Sequence, residues 1–188
     1  LQMAAALGDV TELGDDHSRR TGREPAEVNG VVRPVLVSFE YDTTPVHETV
    51  DELMHTQRAP VYIVHFSQAE ELERGQGLAG RGLVSREARD KIGESIACFR
   101  FSSGCGTSLN RLLRLGVGVH HAGMLPKYRR LVERLAQDGL LPIICGTDTL
   151  GVGINVPIRS VLFTALTKYD GTRMRQLSAR EFHQIAGR

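Results

Sequence analysis

The stretch Ile143-Ile-Cys-Gly-Thr-Asp-Thr-Leu-Gly-Val-Gly-Ile-Asn-Val-Pro157 decides the fold. Ile143-Ile144-Cys145 is a short apolar run of the kind that forms a buried strand, and it passes at once into a loop carrying three glycines, two hydroxyls, a carboxylate and an amide. In open α/β sheets such loops lie at the carboxyl ends of strands, where ligands bind in the crevice beyond the sheet. Glycines there let the backbone approach a phosphate or sugar, and Thr147, Thr149 and Asn155 offer side-chain hydrogen bonds. The loop is expected to hold a ligand.

Working outward, the flanking segments alternate strand and helix signals. Val35, Val37, Phe39 and Tyr41 keep a period of two, which predicts a strand. Pro45 opens an amphipathic helix to about Gln57 with Val46, Val50, Leu53 and Met54 on one face. Val61 to Phe66 is a second apolar strand, and Ser67 is placed to cap the helix after it. Gly75 to Gly82 reads as a loop, followed by helices from Arg86 to about Phe99 and from Thr107 to Leu115. Val117 to His120 returns to the sheet, and a turn follows through Gly123. Pro126 then starts a helix with Tyr128, Leu131, Val132 and Leu135 inward and Lys127, Arg129, Arg130 and Arg134 outward. That basic face suits either solvent or phosphates. Val161 to Leu166 reads as the last strand, and Ser178 caps a final helix. This alternation is the grammar of an α/β domain with a mostly parallel sheet.

The motifs resemble a known family. Thr147 to Pro157 resembles motif V of superfamily-2 helicases of the superkiller (Ski-like) DExH group, and Gln184-Ile-Ala-Gly-Arg188 resembles the first half of their motif VI. Lys168-Tyr-Asp-Gly171 is similar to an element between the two. Gly116 to Pro126 matches the segment preceding motif V, and Val61 to Ser67 stands where motif IV is expected. The resemblance covers residues 31–188 and implies the second RecA-like domain of such a helicase, a three-layer α/β domain with a helical insertion at about 75–115. Residues 1–9 resemble motif III, at the end of a first RecA-like domain, with Ala4 and Ala6 where the family carries Ser and Thr. Residues 10–30 read as a connector, with a short helix from Val10 to Arg20.

The resemblance also implies roles. Thr147 and Thr149 would contact the nucleic-acid backbone, and His121 and Gly123, in a turn that orders the chain near it, complete the expected nucleic-acid-binding set. Gly151, Gly153 and Asn155 would shape the loop between strand and nucleotide, and Gln184 and Arg188 would face the nucleotide across the cleft. An arginine there stabilises charge on the γ-phosphate in the transition state. The implied cofactors are ATP and Mg²⁺, bound mainly by the first RecA-like domain. The implied partners are that domain and single-stranded RNA or DNA. The chain holds neither a Gly-x-x-x-x-Gly-Lys-Ser/Thr phosphate loop nor the acidic magnesium motif, so it is expected to be silent as an ATPase by itself.

Bulk properties limit the alternatives. The 188 residues, 41% hydrophobic and 24% charged, suit one globular domain. The net charge of +1 gives no global field, so nucleic-acid contact would be local. No apolar run reaches the roughly 20 residues that span a bilayer. Cys98, Cys105 and Cys145 lack paired spacing, which argues against a disulfide framework or zinc site and for a cytoplasmic setting. His120-His121 lacks metal-pair spacing, and no metal site is expected. Two other classes stay open: a non-catalytic nucleic-acid module derived from a helicase, and a Rossmann-type dinucleotide enzyme, whose Gly-x-Gly-x-x-Gly signature is missing after the first strand.

Overall fold

A computed structural model describes residues 2–6, 21–28, 31–42, 45–147 and 156–186. Among them a seven-stranded sheet runs in the order β2-β3-β1-β7-β4-β6-β5. Its strands are β1 (Gln2–Ala6), β2 (Thr21–Val28), β3 (Val31–Asp42), β4 (Val61–His65), β5 (Val117–His120), β6 (Ile143–Thr147) and β7 (Ser160–Phe163). Every pairing is parallel except that of β2 with β3. Helices α1 (Val46–His55), α2 (Gln68–Ala79), α3 (Arg86–Ile96), α4 (Cys105–Arg114), α5 (Pro126–Gln137) and α6 (Ala179–Ala186) fill the connections. The fold is α/β with a mostly parallel central sheet, of the RecA-like type.

The inner strands follow from their composition. Parallel strands covered on both faces read as continuous apolar runs, and β4, β5, β6 and β7 are buried along their whole length. Ile63, Ile143, Leu162 and Phe163 have no exposed surface. The register aligns the strand ends: His65 lies opposite Thr147, His120 opposite Gly146, and Val64 opposite Phe163. One edge of the sheet therefore gathers the last residues of β4, β5 and β6.

The expected helix starts hold at several positions. Ser67 Oγ accepts the Glu70 N–H at 3.2 Å and Ser85 Oγ accepts the Ala88 N–H at 3.2 Å, each satisfying one of the orphan donors of a first turn. Pro126 occupies the first turn of α5, whose Tyr128, Leu131, Val132 and Leu135 are buried as the periodicity predicts.

Other expectations are corrected. Gly75 to Ala79 is not a loop, because α2 continues through both glycines to Ala79. Each glycine costs about 1 kcal/mol in a helix. Leu78 and Ala79 offset this by entering the core. Within the stretch read as a connector, Thr21–Val28 forms β2 and extends the sheet antiparallel to β3; residues 10–20 lie outside the described residues. The last strand ends at Phe163 rather than Leu166, and a separate hairpin follows, β8 (Thr167–Tyr169) with β9 (Met174–Gln176).

The hairpin turn is built by Asp170-Gly171. Asp170 Oδ1 accepts the N–H groups of Thr172 and Arg173 at 2.9 and 3.0 Å, and Gly171 takes a positive φ of 101°. The excursion of α3 and α4 is pinned to the core through Tyr128. Its hydroxyl accepts the Ser102 N–H at 2.8 Å and lies 2.7 Å from Ser102 Oγ, and the Phe99 and Phe101 ring centroids lie 5.8 and 6.0 Å from that of its own ring. A Cβ at Gly106 would come within 2.5 Å of that hydroxyl, so glycine is required where α4 passes it.

Candidate nucleic-acid interface

The edge formed by His65, His120 and Thr147 lies at the carboxyl ends of parallel strands, where open α/β sheets bind ligands. Its floor is tightly held. Tyr62 Oη donates to the Thr147 carbonyl at 2.6 Å and fixes the end of β6 over β4. A Cβ on Gly146 would fall 2.6 Å from the Tyr62 hydroxyl oxygen and 2.8 Å from the His120 carbonyl oxygen. Gly146 therefore allows β5, β6 and the Tyr62 ring to meet.

Around this floor sit ionisable groups driven towards neutrality. Glu71 of α2 is fully buried, and its Oε1 accepts the His120 backbone N–H at 2.9 Å, which ties α2 to the end of β5. Burial pushes its carboxyl up to about 8, with the His120 bond pulling weakly the other way. Its Oε2 has no partner among the described residues. His65 is also fully buried, and neither ring nitrogen has a partner among the described residues. Burial, and then the nearby Arg74 charge, bring it down to about 4, so it is neutral at physiological pH.

His120 contacts Glu133 Oε1 through Nε2 at 3.0 Å. Burial lowers its pKa, opposed by the Glu133 carboxylate. In the turn that follows, the Met124 N–H donates to the His121 carbonyl at 3.1 Å; His121 is partly buried and also shifted down by burial, and Gly123 is exposed. The result is an edge whose buried ionisable groups are driven towards neutrality beneath the partly exposed His121–Gly123 turn.

Of the residues singled out in the sequence, Thr147, His121 and Gly123 fall on or beside this edge. Gln184 lies elsewhere, exposed on α6 with Ile185 and Ala186 buried behind it. Phe182 anchors that helix by stacking on Phe163 of β7, centroids 5.0 Å apart and planes 22° apart. Thr149, Gly151, Gly153, Asn155 and Arg188 lie outside the described residues. The basic face of α5 serves the fold in part: Lys127 Nζ donates to the Arg100 carbonyl at 3.3 Å and lies 4.9 Å from the Tyr128 ring, and Arg134 donates to the Ser95 carbonyl at 3.1 Å.

Two features escaped the sequence reading. Glu71 sits in an acidic run that looks solvated, and no local signal separates it from Glu70. Glu181 is the second. Its carboxylate receives Arg175 through two nitrogens at 2.8 and 2.7 Å, Lys168 at 2.8 Å, and the Ser178 N–H and hydroxyl at 2.9 and 2.8 Å. The Ser178-x-x-Glu181 spacing is a capping-box signature that marks this residue in advance.

Among the described residues, no group of three His, Cys, Asp or Glu side chains is arranged to hold a metal ion, and no helix is long and apolar enough to cross a membrane. No protein-family model matches the chain. Among curated proteins it is 34% identical over 148 residues to the DExH-box ATP-dependent RNA helicase DExH11 of Arabidopsis thaliana, covering 74% of this chain and 11% of that protein. It is 34% identical over 136 residues to superkiller complex protein 2 of Mus musculus, covering 69% of this chain and 11% of that protein. It is 43% identical over 77 residues to the ATP-dependent RNA helicase mtr4 of Schizosaccharomyces pombe, covering 41% of this chain and 7% of that protein. The Arabidopsis and Schizosaccharomyces relatives are ATP-dependent RNA helicases by name, and the chain spans about a tenth or less of the length of each of the three relatives.

Proposed function

We propose that this chain is the second RecA-like domain of an ATP-dependent RNA helicase of the Ski-like DExH group. In this reading it supplies motifs IV, V and the first part of VI to an interdomain ATP site and a single-strand groove. The observation that carries the reading is the placement of Thr147, the first residue of the motif V-like loop, at the carboxyl edge of the parallel sheet beside His65 and the His120–Gly123 turn. A nucleic-acid backbone on that edge would meet the partly buried His121 and the exposed Gly123, with the buried Thr147, His120 and His65 shaping the floor beneath them, and backbone contacts of this kind fix position without reading sequence. Two of the relatives' names favour this over a dinucleotide enzyme.

The fit to ATP rests on α6. Gln184 projects from its exposed face while Phe182, Ile185 and Ala186 hold the helix to the sheet, so its amide is available to a nucleotide carried by a facing domain. ATP with Mg²⁺ would supply the phosphoryl-transfer chemistry. Gln184 would orient the nucleotide and Arg188 would offset charge on it. Thr147, Thr149, Gly151, Gly153 and Asn155 would join the strand site to the nucleotide site. The three free cysteines suit a reducing, cytoplasmic compartment.

The test is fluorescence anisotropy with labelled single-stranded RNA and DNA at low and moderate salt. The expected result is salt-sensitive binding, stronger for RNA, that is lost in the Thr147→Ala, Gly153→Asp double variant. Equal binding by the variant would remove the motif V assignment.

A further inference from the structure

The Glu181 carboxylate is bonded by three residues, and its partners come from both the hairpin and the helix start. Arg175 on β9 and Lys168 on β8 reach it from the hairpin, while Ser178 reaches it from the start of α6. The remaining fastenings divide the same way. The Leu177 N–H donates to the Leu166 carbonyl at 2.8 Å and closes the base of the hairpin. On the other side, Phe182 on Phe163 fixes α6 to β7. Asp170 in the hairpin turn lies 3.7 Å from Arg175 Nε and extends the charge chain towards the tip. Beyond the clamp, the cross-strand pair Tyr169 and Met174 projects into solvent, each 63% exposed.

A cap needs only the Ser178 half of this arrangement, because one serine and one glutamate satisfy the first turn of a helix. Arg175 and Lys168 add nothing to the cap. They do link the hairpin to the helix. A bidentate arginine restricts both position and orientation of the carboxylate it holds, so the β8–β9 hairpin and the first turn of α6 are fixed to each other as one unit.

We propose that Glu181 is a positioning residue that couples the β8–β9 hairpin to α6, the helix bearing Gln184. The link to nucleotide chemistry rests on the helicase reading above; the mechanical coupling does not.

Hydrogen exchange at the α6 amides from Phe182 to Ile185 tests the coupling directly from the hairpin side. Arg175→Ala and Lys168→Ala, which leave Ser178 and Glu181 in place, are expected to speed that exchange at least about fivefold while β4 and β6 stay protected. Glu181→Ala is expected to do the same at both elements, and Glu181→Asp to restore part of the protection. Arg175→Gln provides a milder variant should Arg175→Ala misfold. Acceleration with Glu181→Ala alone, with the hairpin-side variants silent, would reduce Glu181 to a helix cap and overturn the proposal.

In the intact helicase, the Arg175→Ala change is expected to lower the RNA-stimulated kcat while KM for ATP moves less than about twofold. Absence of RNA-stimulated ATP hydrolysis in the unaltered protein would sink the helicase reading, and the exchange data would still decide the clamp.

Discussion

The carboxyl edge of β4, β5 and β6 and the corner formed by β8, β9 and α6 both collect polar side chains, and they treat charge in opposite ways. At the edge, burial drives Glu71 and His65 towards their neutral forms and leaves three of their polar atoms without partners among the described residues. At the corner, Glu181 is held well below the usual carboxylate range, first by Arg175 and then by Lys168 and Ser178. The first region keeps hydrogen-bonding capacity unspent and the second saturates it. The unspent atoms are sealed from solvent and make the floor of the edge electrostatically costly, whereas saturation suits a joint.

The largest expected effect comes from removing what the two regions share. Phe163 ends β7 in the core and stacks on Phe182 of α6, so Phe163→Ala opens a cavity and loosens the helix together. It is expected to destabilise the fold by about 4 kcal/mol in denaturant unfolding. A loss confined to α6, with the sheet unaffected, would show that the two regions do not share a core.

The second prediction isolates the edge. Glu71 has a folded pKa near 8 against a usual value of 4.5, so the folded chain keeps a proton that the unfolded chain releases. Its contribution is complete below about pH 4.5 and is lost as pH rises through 8. His65 runs the other way: with a folded value near 4 against 6.5, its contribution is complete above 6.5 and is lost as pH falls through 4. Together they predict a stability plateau between about pH 4.5 and 6.5 with losses on either side. Glu71→Gln keeps the acceptor for the His120 N–H and is expected to remove the alkaline loss, gaining on the order of a few kcal/mol at pH 9 and almost nothing at pH 4.5. A urea series across pH reads this. Equal gains at both ends would show that packing, not protonation, sets the effect.

The smallest effect belongs to the corner. Exposed ion pairs contribute little to global stability and are screened by salt. Arg175→Ala is expected to shift the melting temperature by no more than about 4 °C, and by less as salt rises from about 0.05 M to about 0.5 M. A large, salt-insensitive drop would mean that the corner belongs to the core, and the contrast between the regions would disappear.

The parallel strands were legible because burial on both faces writes itself as Val61 to Val64, Val117 to Val119 and Ile143 to Cys145. Ser67, Ser85, Pro126 and Ser178 were legible because helix ends have local chemical needs that short side chains and proline meet. The end of α2 was not, since Gly75 and Gly77 argue locally for a loop and only contact with the core reverses them. The hairpin signal Asp170-Gly171 was present and is a strong turn pair, yet β8 and β9 are too short for alternation to stand out. At the site, Thr147 could be placed because it ends an apolar strand. Glu71 could not, because its burial is decided by β5 and β6, which lie far from it in the chain.

The buried Glu71 carboxyl has an electrical consequence for the whole molecule. The formal charge of +1 counts Glu71 as an anion. With its proton retained, the folded chain carries close to one additional positive unit at neutral pH. Unfolding therefore releases the Glu71 proton, offset in part by the protons that His65, His120 and His121 take up as they leave burial, and calorimetry in buffers of different ionisation enthalpy would register the balance. In electrophoresis, the native and denatured forms would differ in charge as well as in size.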